Sequence, residues 1–307
     1  GLTAQFTRTS DNALELRFTG QAETHDSDLN DIGLTFLDGA FSTLPASGIA
    51  HSSRSDLGID FASENAPLQA FQPKDGTAWG SSDTSTAQAL DANYMVVGDD
   101  EESVLRIYHR EGGKALVEWD YSGFLNNGGE LDLEGGTLVG DTYYFSGSHS
   151  NNKSGNEQDS REYLFAVKIE GTGAATQFHW IGKTEGLETA LVEWDNSQND
   201  GQFGFATGSG AGVAPERVDG FSIEGLSVNL TGDGLLLGFR APQSDTQTRD
   251  KAIIVELALS TASAGDTGIG GIQQVIELNL GGRGIRSIEK AADDSGYLIL
   301  AGPAGGA

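Results

Sequence analysis

Apolar and polar residues alternate with a period of two along most of this 307-residue chain, and helical periodicity is almost absent. That period sends successive side chains to opposite faces of a strand. ALELRFTG (13–20) carries it plainly, and VLRIYHR (104–110), YLFAVKI (163–169) and AIIVELAL (252–259) read as short strands between turn signals. ALVEWD (190–195) and FGFATG (203–208) read as strands on the same grounds, and ETHDSDLND (23–31) is the one segment that reads as a helical turn. TGDG (231–234) and DDSG (293–296) have the aspartate-glycine chemistry of hairpin turns. With 44 glycines and only 6 prolines, the chain is supplied with tight turns. Many short strands joined this way predict an all-β fold: a sandwich, a barrel or a propeller.

A recurring glutamate chooses among these. LDLEGGTL (131–138), FSIEGLSV (221–228) and GIRSIEKA (284–291) each lead through a strand and a turn into a second strand, YYFSGSH, LLLGFRAP and YLILAGPA respectively. Repetition of one strand–turn–strand unit is the mark of radial architecture, with blades of roughly 40 residues. At that spacing the chain after residue 62 would form a β-propeller of about six blades. The expected division is a partial β-sandwich segment over 1–62, a connector over 63–90 where periodicity lapses, and a propeller over 91–307. Innermost strands line a propeller's channel, so Glu134, Glu224 and Glu289 would converge where the blades meet.

Charge narrows the partners. Against 18 basic residues stand 45 acidic ones, a formal net charge of −27, which repels nucleic acid and anionic membranes alike. Such acidity fits a secreted protein in salty, calcium-containing water. The absence of cysteine excludes disulfides, thiolate metal sites and cysteine catalysis. No run approaches the length of a membrane span, so no membrane insertion is expected. The chain opens at GLTAQF without a methionine or a signal peptide and reads as an excerpt or a processed product.

Two constellations could carry chemistry. Glu134, Glu224 and Glu289, with Asp132 and with Asp100 or Glu101, could supply the six to eight oxygens that calcium takes. They could equally pair with Arg161, Arg240 or Arg286 as a buried ladder that locks the blades, since buried carboxylates are rarely left unpaired. His149, Arg240 and Arg286 could orient an anionic group, with His149 as general acid or base. The same three could instead be counterions and a hydrogen-bonding fixture. DNSQNDG (195–201) has oxygen-bearing residues at alternate positions, but its glycine comes too late for a calcium loop, so it reads as a polar hairpin. No GK[ST] loop, GxSxG elbow or HExxH helix is present. Trp79, Trp180 and Trp194 read as packing aromatics, with a carbohydrate ligand reserved for any that are exposed.

VVGDDEESVLRIYHREGG, LDLEGGTLVGDTYYFSGSHSNNKSG, REYLFAV, FSIEGLSVNLTGDGLLLGFRAP and LGGRGIRSIEKAADDSGYLILAGPAG together resemble a bacterial β-propeller domain family of unknown function. That family is itself distantly similar to the esterase-like, phytase-type propellers. The resemblance covers roughly 90–305. Here the loop GSHSNNKSGNEQDSREYLFAV is more acidic than its usual basic form, which weighs against a phosphate site there. The first part, GLTAQF through SDLGIDF, resembles the second half of a β-sandwich repeat of bacterial surface and adhesin-like proteins, without its usual first strands.

These readings imply a non-catalytic binding or assembly module of a secreted or surface-attached bacterial protein. One alternative is a calcium-dependent esterase or phosphoesterase acting in the channel. Another is a homo-polymer completed by strand addition at the exposed edge of the incomplete sandwich. The esterase requires the three glutamates and His149 to face one solvent-reachable cavity. The module requires only that they be paired internally.

Overall fold

The computed structural model describes residues 83–244 apart from 127, residues 249–305, the strand residues 2–10, 13–20, 29–35, 53–59 and 71–72, and residues 37, 45, 47 and 81. The chain divides into two compact units, Gly1–Leu68 and Gln69–Ala307. In the first, β1 (Leu2–Ser10) pairs antiparallel with β2 (Ala13–Gly20), and β3 (Leu29–Thr35) with β4 (Ser53–Ile59). These two pairs are what is described of the expected partial sandwich. Of the segment read as a helical turn, 29–31 begin β3 and the rest lies outside the described residues.

The second unit is built mainly of antiparallel sheets. β5 (Phe71–Gln72) makes a short parallel pair with β9 (Gly113–Lys114). β6 (Thr84–Ala89), β7 (Tyr94–Asp99), β8 (Val104–His109) and β10 (Val117–Asp120) form the first four-stranded blade. After the single-turn α1 (Ser122–Leu125), β11 (Leu133–Val139), β12 (Thr142–Gly147), β13 (Leu164–Glu170) and β14 (Gln177–Thr184) form the second. Two helices, α2 (Leu187–Gln198) and α3 (Phe205–Gly208), precede the third blade. Its strands are β15 (Ser222–Val228), β16 (Gly234–Ala241), β17 (Ala252–Leu259) and β18 (Ile269–Leu278). β19 (Arg283–Lys290) and β20 (Tyr297–Pro303) make a two-stranded fourth. The first strand of each blade packs on the first strand of the next, β6 on β11, β11 on β15 and β15 on β19, which is the radial order of a β-propeller.

The second strand of each middle blade reads as a continuous apolar run because both of its faces are covered. On β12, Tyr143 and Phe145 turn toward Leu105 and Ile107 of the first blade, while Tyr144 turns toward Leu226, Leu235 and Leu237 of the third. On β16, Leu236 joins Ile254, Ile285 and Ile288 between the third blade and the fourth. Each such side chain removed from water contributes roughly 1.5–3 kcal/mol. Rings weld the outer edges of the first two blades. Trp119 stacks on Phe178 at 5.0 Å, and Trp180 lies between Phe124 at 5.1 Å and Phe165 at 5.5 Å. Tyrosine hydroxyls add ties between blades, Tyr143 donating to the Ala89 carbonyl, Tyr144 to that of Thr267 and Tyr297 to that of Val228.

Three expectations change. Among the described residues there are three complete blades and one hairpin rather than about six blades, because the repeat is longer than 40 residues and the helical insertion widens one interval further. Residues 84–89, inside the expected connector, form the inner strand β6; its small residues TSTAQA hide the strand pattern. ALVEWD and FGFATG are helical rather than extended. Leu187, Leu191 and Trp194 recur at helical spacing and bury against the third blade together with Phe203 and Phe205.

Glycine after the repeated glutamate has a packing cause. A Cβ on Gly135 would lie 2.7 Å from the Leu226 Cβ and 2.9 Å from its backbone nitrogen, and one on Gly225 would lie 2.9 Å from Ile288 Cγ2. The inner strands approach too closely for a side chain there. Gly135→Ala is expected to lower stability by roughly 1–3 kcal/mol, read as a lower urea midpoint at unchanged slope. An unchanged midpoint would mean that β11 and β15 do not meet at this distance.

Candidate functional site

The inner strands share one irregularity. In each, the register with its neighbour slips by one residue, leaving one residue without a cross-strand partner. These residues are Ser85 in β6, Glu134 in β11, Glu224 in β15 and Arg286 in β19. A bulge of this kind bends the strand and re-aims a side chain that strict alternation would place elsewhere. The strand β16 slips as well, at Arg240. In the fourth blade the counterpart of Glu134 and Glu224 is therefore Arg286, and Glu289 lies three residues further on.

That substitution of arginine for glutamate pairs the blades. Glu224, 5% exposed, accepts from Arg240 Nη1 at 3.1 Å on one carboxylate oxygen and from Arg286 Nη1 at 2.5 Å on the other. Arg240 Nε also donates to the Ala304 carbonyl at 3.2 Å. One carboxylate thus holds a cation of its own blade and one of the next. Glu289 takes a different course, accepting from Gln88 Nε2 of β6 at 3.2 Å. It does not join the other two glutamates.

Glu134 meets other carboxylates instead. Oxygens of Asp100, which follows β7, of Asp132 and of Glu134 lie within 4.8 Å of one another, and all three residues are partly buried. Asp132 is tied to its own loop, receiving Arg161 Nη1 at 3.0 Å and the Ser148 hydroxyl; Arg161 also binds Glu130 at 2.5 Å. The Oδ1 of Asp100 is buried with no hydrogen-bond partner among the described residues. Burial, reinforced by Asp132 and other acidic neighbours, pushes Asp100 up to about 6. Burial and then the charges of Glu224, Asp132 and Asp100 push Glu134 up to about 9, against the opposing pull of Arg286. Like charges held this close and away from water favour a bound proton or a bound cation. A hollow of about 550 Å³, lined by Glu101, Glu102, Arg106, Glu118, Asp120 and Glu130 among others, adjoins the chain segments that carry Asp100 and Asp132.

The remaining candidates separate from this group. His149 is fully buried in a left-handed conformation, φ 52°, and neither ring nitrogen has a partner among the described residues. Burial draws it down to about 4, so the ring is neutral. With no exposed surface, the ring is not open to a dissolved ester. Of the acidic run at 195–201, Asp195 is the buried end of α2, accepting the backbone N–H groups of Phe203, Gly204 and Phe205, so this run is neither a hairpin nor a cation loop. Trp180 has both faces stacked and Trp194 stacks on Phe203 at 5.9 Å, as packing requires; Trp79 lies outside the described residues. Sequence reasoning offered Arg240 and Arg286 as partners of the glutamates, and Glu224 takes both; it passed over Ser85 and the place of Arg286 at a bulge, which is a signal of register rather than of residue type.

A domain family of unknown function, DUF3616, matches residues 194–306, within the span where a family resemblance was expected. No curated protein matches the chain significantly. Among solved structures it is similar to the β-propeller domain of Myceliophteria_thermophila Cps50 (Swd1), at 11% identity and a TM-score of 0.33, covering 67% of this chain and 46% of that one. The C-terminal WD40 domain of Sif2 matches at 10% identity and a TM-score of 0.31, covering 71% and 43%. Kluyvelomyces marxianus Hsv2 matches at 10% identity and a TM-score of 0.29, covering 71% and 60%. The chain thus spans about half the length of the first two. Its propeller architecture follows from its own sheets.

Two substitutions test the ion pair and the histidine. Glu224→Gln leaves two partly buried guanidinium groups without their anion and is expected to cost about 1–3 kcal/mol, measured by denaturant unfolding; no loss would mean the arginines are satisfied elsewhere. His149 is held below its unfolded value of 6.5, so its contribution is present above that pH and is lost as pH falls from 6.5 to about 4. The loss amounts to roughly 3 kcal/mol. His149→Asn, a residue that tolerates left-handed backbone, should remove this part of the pH dependence between those limits. Parallel wild-type and variant stability curves would count against a buried neutral imidazole.

Proposed function

We propose that the chain is a non-catalytic binding or assembly module of a secreted or surface-attached protein, in which Asp100, Asp132 and Glu134 hold a calcium ion between the first two blades. The observation that carries the cation is the orphaned Asp100 oxygen beside two further carboxylates within 4.8 Å. All donors are hard oxygens, the type calcium selects, and water can complete its six to eight positions. Asp100 belongs to the first blade and Asp132 and Glu134 to the second, so an ion there would replace repulsion between blades by a cross-link. The acidic surplus of the chain suits calcium-containing surroundings.

Two features favour a module over an ester hydrolase. The histidine that would serve as acid or base is buried without exposure, and the arginines that would orient an anion are both engaged by Glu224.

Thermal unfolding in EDTA and then in added calcium tests the ion, because a ligand that binds only the folded state raises its midpoint. Calcium is expected to raise the wild-type midpoint, whereas Glu134→Gln melts in EDTA at or above wild type and responds to calcium weakly or not at all. The folded values of Asp100 and Glu134 exceed their unfolded ones. In EDTA their contribution is therefore present at low pH and is lost as pH rises through about 6 and then about 9. The rise produced by calcium grows over the same window, since the ion binds the ionised groups. A midpoint indifferent to calcium at pH 8 would end this reading.

A further inference from the structure

We propose that the ligand of this module is a neutral polyhydroxyl compound, a carbohydrate, seated in the hollow beside the carboxylate trio and held through the open positions of the calcium ion. The inference rests on the calcium reading above and gives that site its ligand. The hollow measures about 550 Å³, within the range of roughly 300–1,000 Å³ usual for small-molecule sites. Two links join it to the trio. Glu101 of its wall follows Asp100 directly, and one guanidinium, that of Arg161, reaches Glu130 of the wall at 2.5 Å and Asp132 of the trio at 3.0 Å. Asp100, Asp132 and Glu134 are partly buried rather than sealed. One oxygen from each leaves roughly three to five of calcium's six to eight positions for other oxygens.

The wall of the hollow decides the chemistry of what enters. Its one cation, Arg106, is buried and already engaged, by Glu102, by Glu118 at 3.2 Å and by Asp99 at 3.7 Å. Glu101 and Asp120 of the same wall have no cation among the described residues. An ionised carboxylate only accepts hydrogen bonds, so the ligand must donate them. An anion cannot, and the acidic wall repels it. An organic cation can, but the calcium ion at the rim repels it in turn. A neutral hydroxyl satisfies both demands at once, since it is donor and acceptor together. Its hydrogen goes to a carboxylate of the wall while its oxygen lone pair goes to calcium, which binds oxygen ligands of this kind. Adjacent hydroxyls on one sugar ring repeat the match at neighbouring positions of the ion.

Isothermal titration of the whole chain with mannotriose, maltotriose and xylotriose tests this, in calcium and in EDTA. Spermidine and trigalacturonate serve as charged probes, and the calcium melt is run in parallel. At least one neutral trisaccharide is expected to bind in calcium, and about tenfold more weakly or not at all in EDTA. Glu101→Ala combined with Asp120→Ala removes two acceptors of the wall and is expected to weaken the sugar about tenfold, with the calcium-dependent rise in midpoint retained. Failure of all three sugars in calcium overturns the proposal, as does binding indifferent to EDTA or an affinity unchanged in the double variant. Spermidine binding in place of the sugars would overturn it in favour of an organic cation, and trigalacturonate alone in favour of an anion. A calcium-dependent midpoint without sugar binding fails this inference alone, whereas a midpoint indifferent to calcium fails the reading on which it stands.

Discussion

The carboxylate of Glu224 held between Arg240 and Arg286 is the contact on which the centre of the propeller depends. Taken from water alone, a carboxylate in this position would be unfavourable by several kcal/mol. Two guanidinium groups, one from its own blade and one from the next, make the burial tolerable. The arrangement works only because β15 and β19 bulge at the same level, sending a side chain from each strand toward the other. Glycine beside the bulging glutamate is the second half of the device, since it lets the strands close until the charges meet.

The same geometry produces the opposite outcome one blade earlier. Glu134 occupies the place of Glu224, but the blade that follows it presents Glu224 at the bulge where the fourth presents Arg286. Arg161 pairs with Asp132 and Glu130 and donates besides to the Ser150 hydroxyl. Acid is left facing acid between the first two blades, while between the third and fourth the charges balance. The axis is consequently uneven: ion-paired on one side, in need of a proton or a metal on the other.

Much of the architecture could be read from residues alone. Strands such as ALELRFTG announced themselves through alternation, and the repeated Glu-Gly pairs correctly marked two inner strands. The third match, GIRSIEKA, was set in register by its glutamate, whereas the bulge falls on arginine three residues earlier. Residue identity could not reveal this, because a bulge is fixed by the partner strand's hydrogen bonds. The helix over Leu187–Gln198 escaped notice because TALVEW also fits a period of two, and only burial of Leu187, Leu191 and Trp194 on one side separates the readings. The carboxylate trio was partly legible: Asp100, Asp132 and Glu134 do gather, and the two other glutamates find partners among nitrogen donors.

Within every blade the chain pairs almost solely with the strand just before or after it. Loop closure for such pairings is short, and contacts of this kind form early in folding. A blade can therefore assemble from its own hairpins while the rest of the chain is still unfolded, much as a repeat does in a solenoid. The bond between Gln88 and Glu289, 201 residues apart, belongs to the opposite extreme. It joins the first inner strand to the last, and only a chain whose intervening blades already stand in order brings the two side chains together.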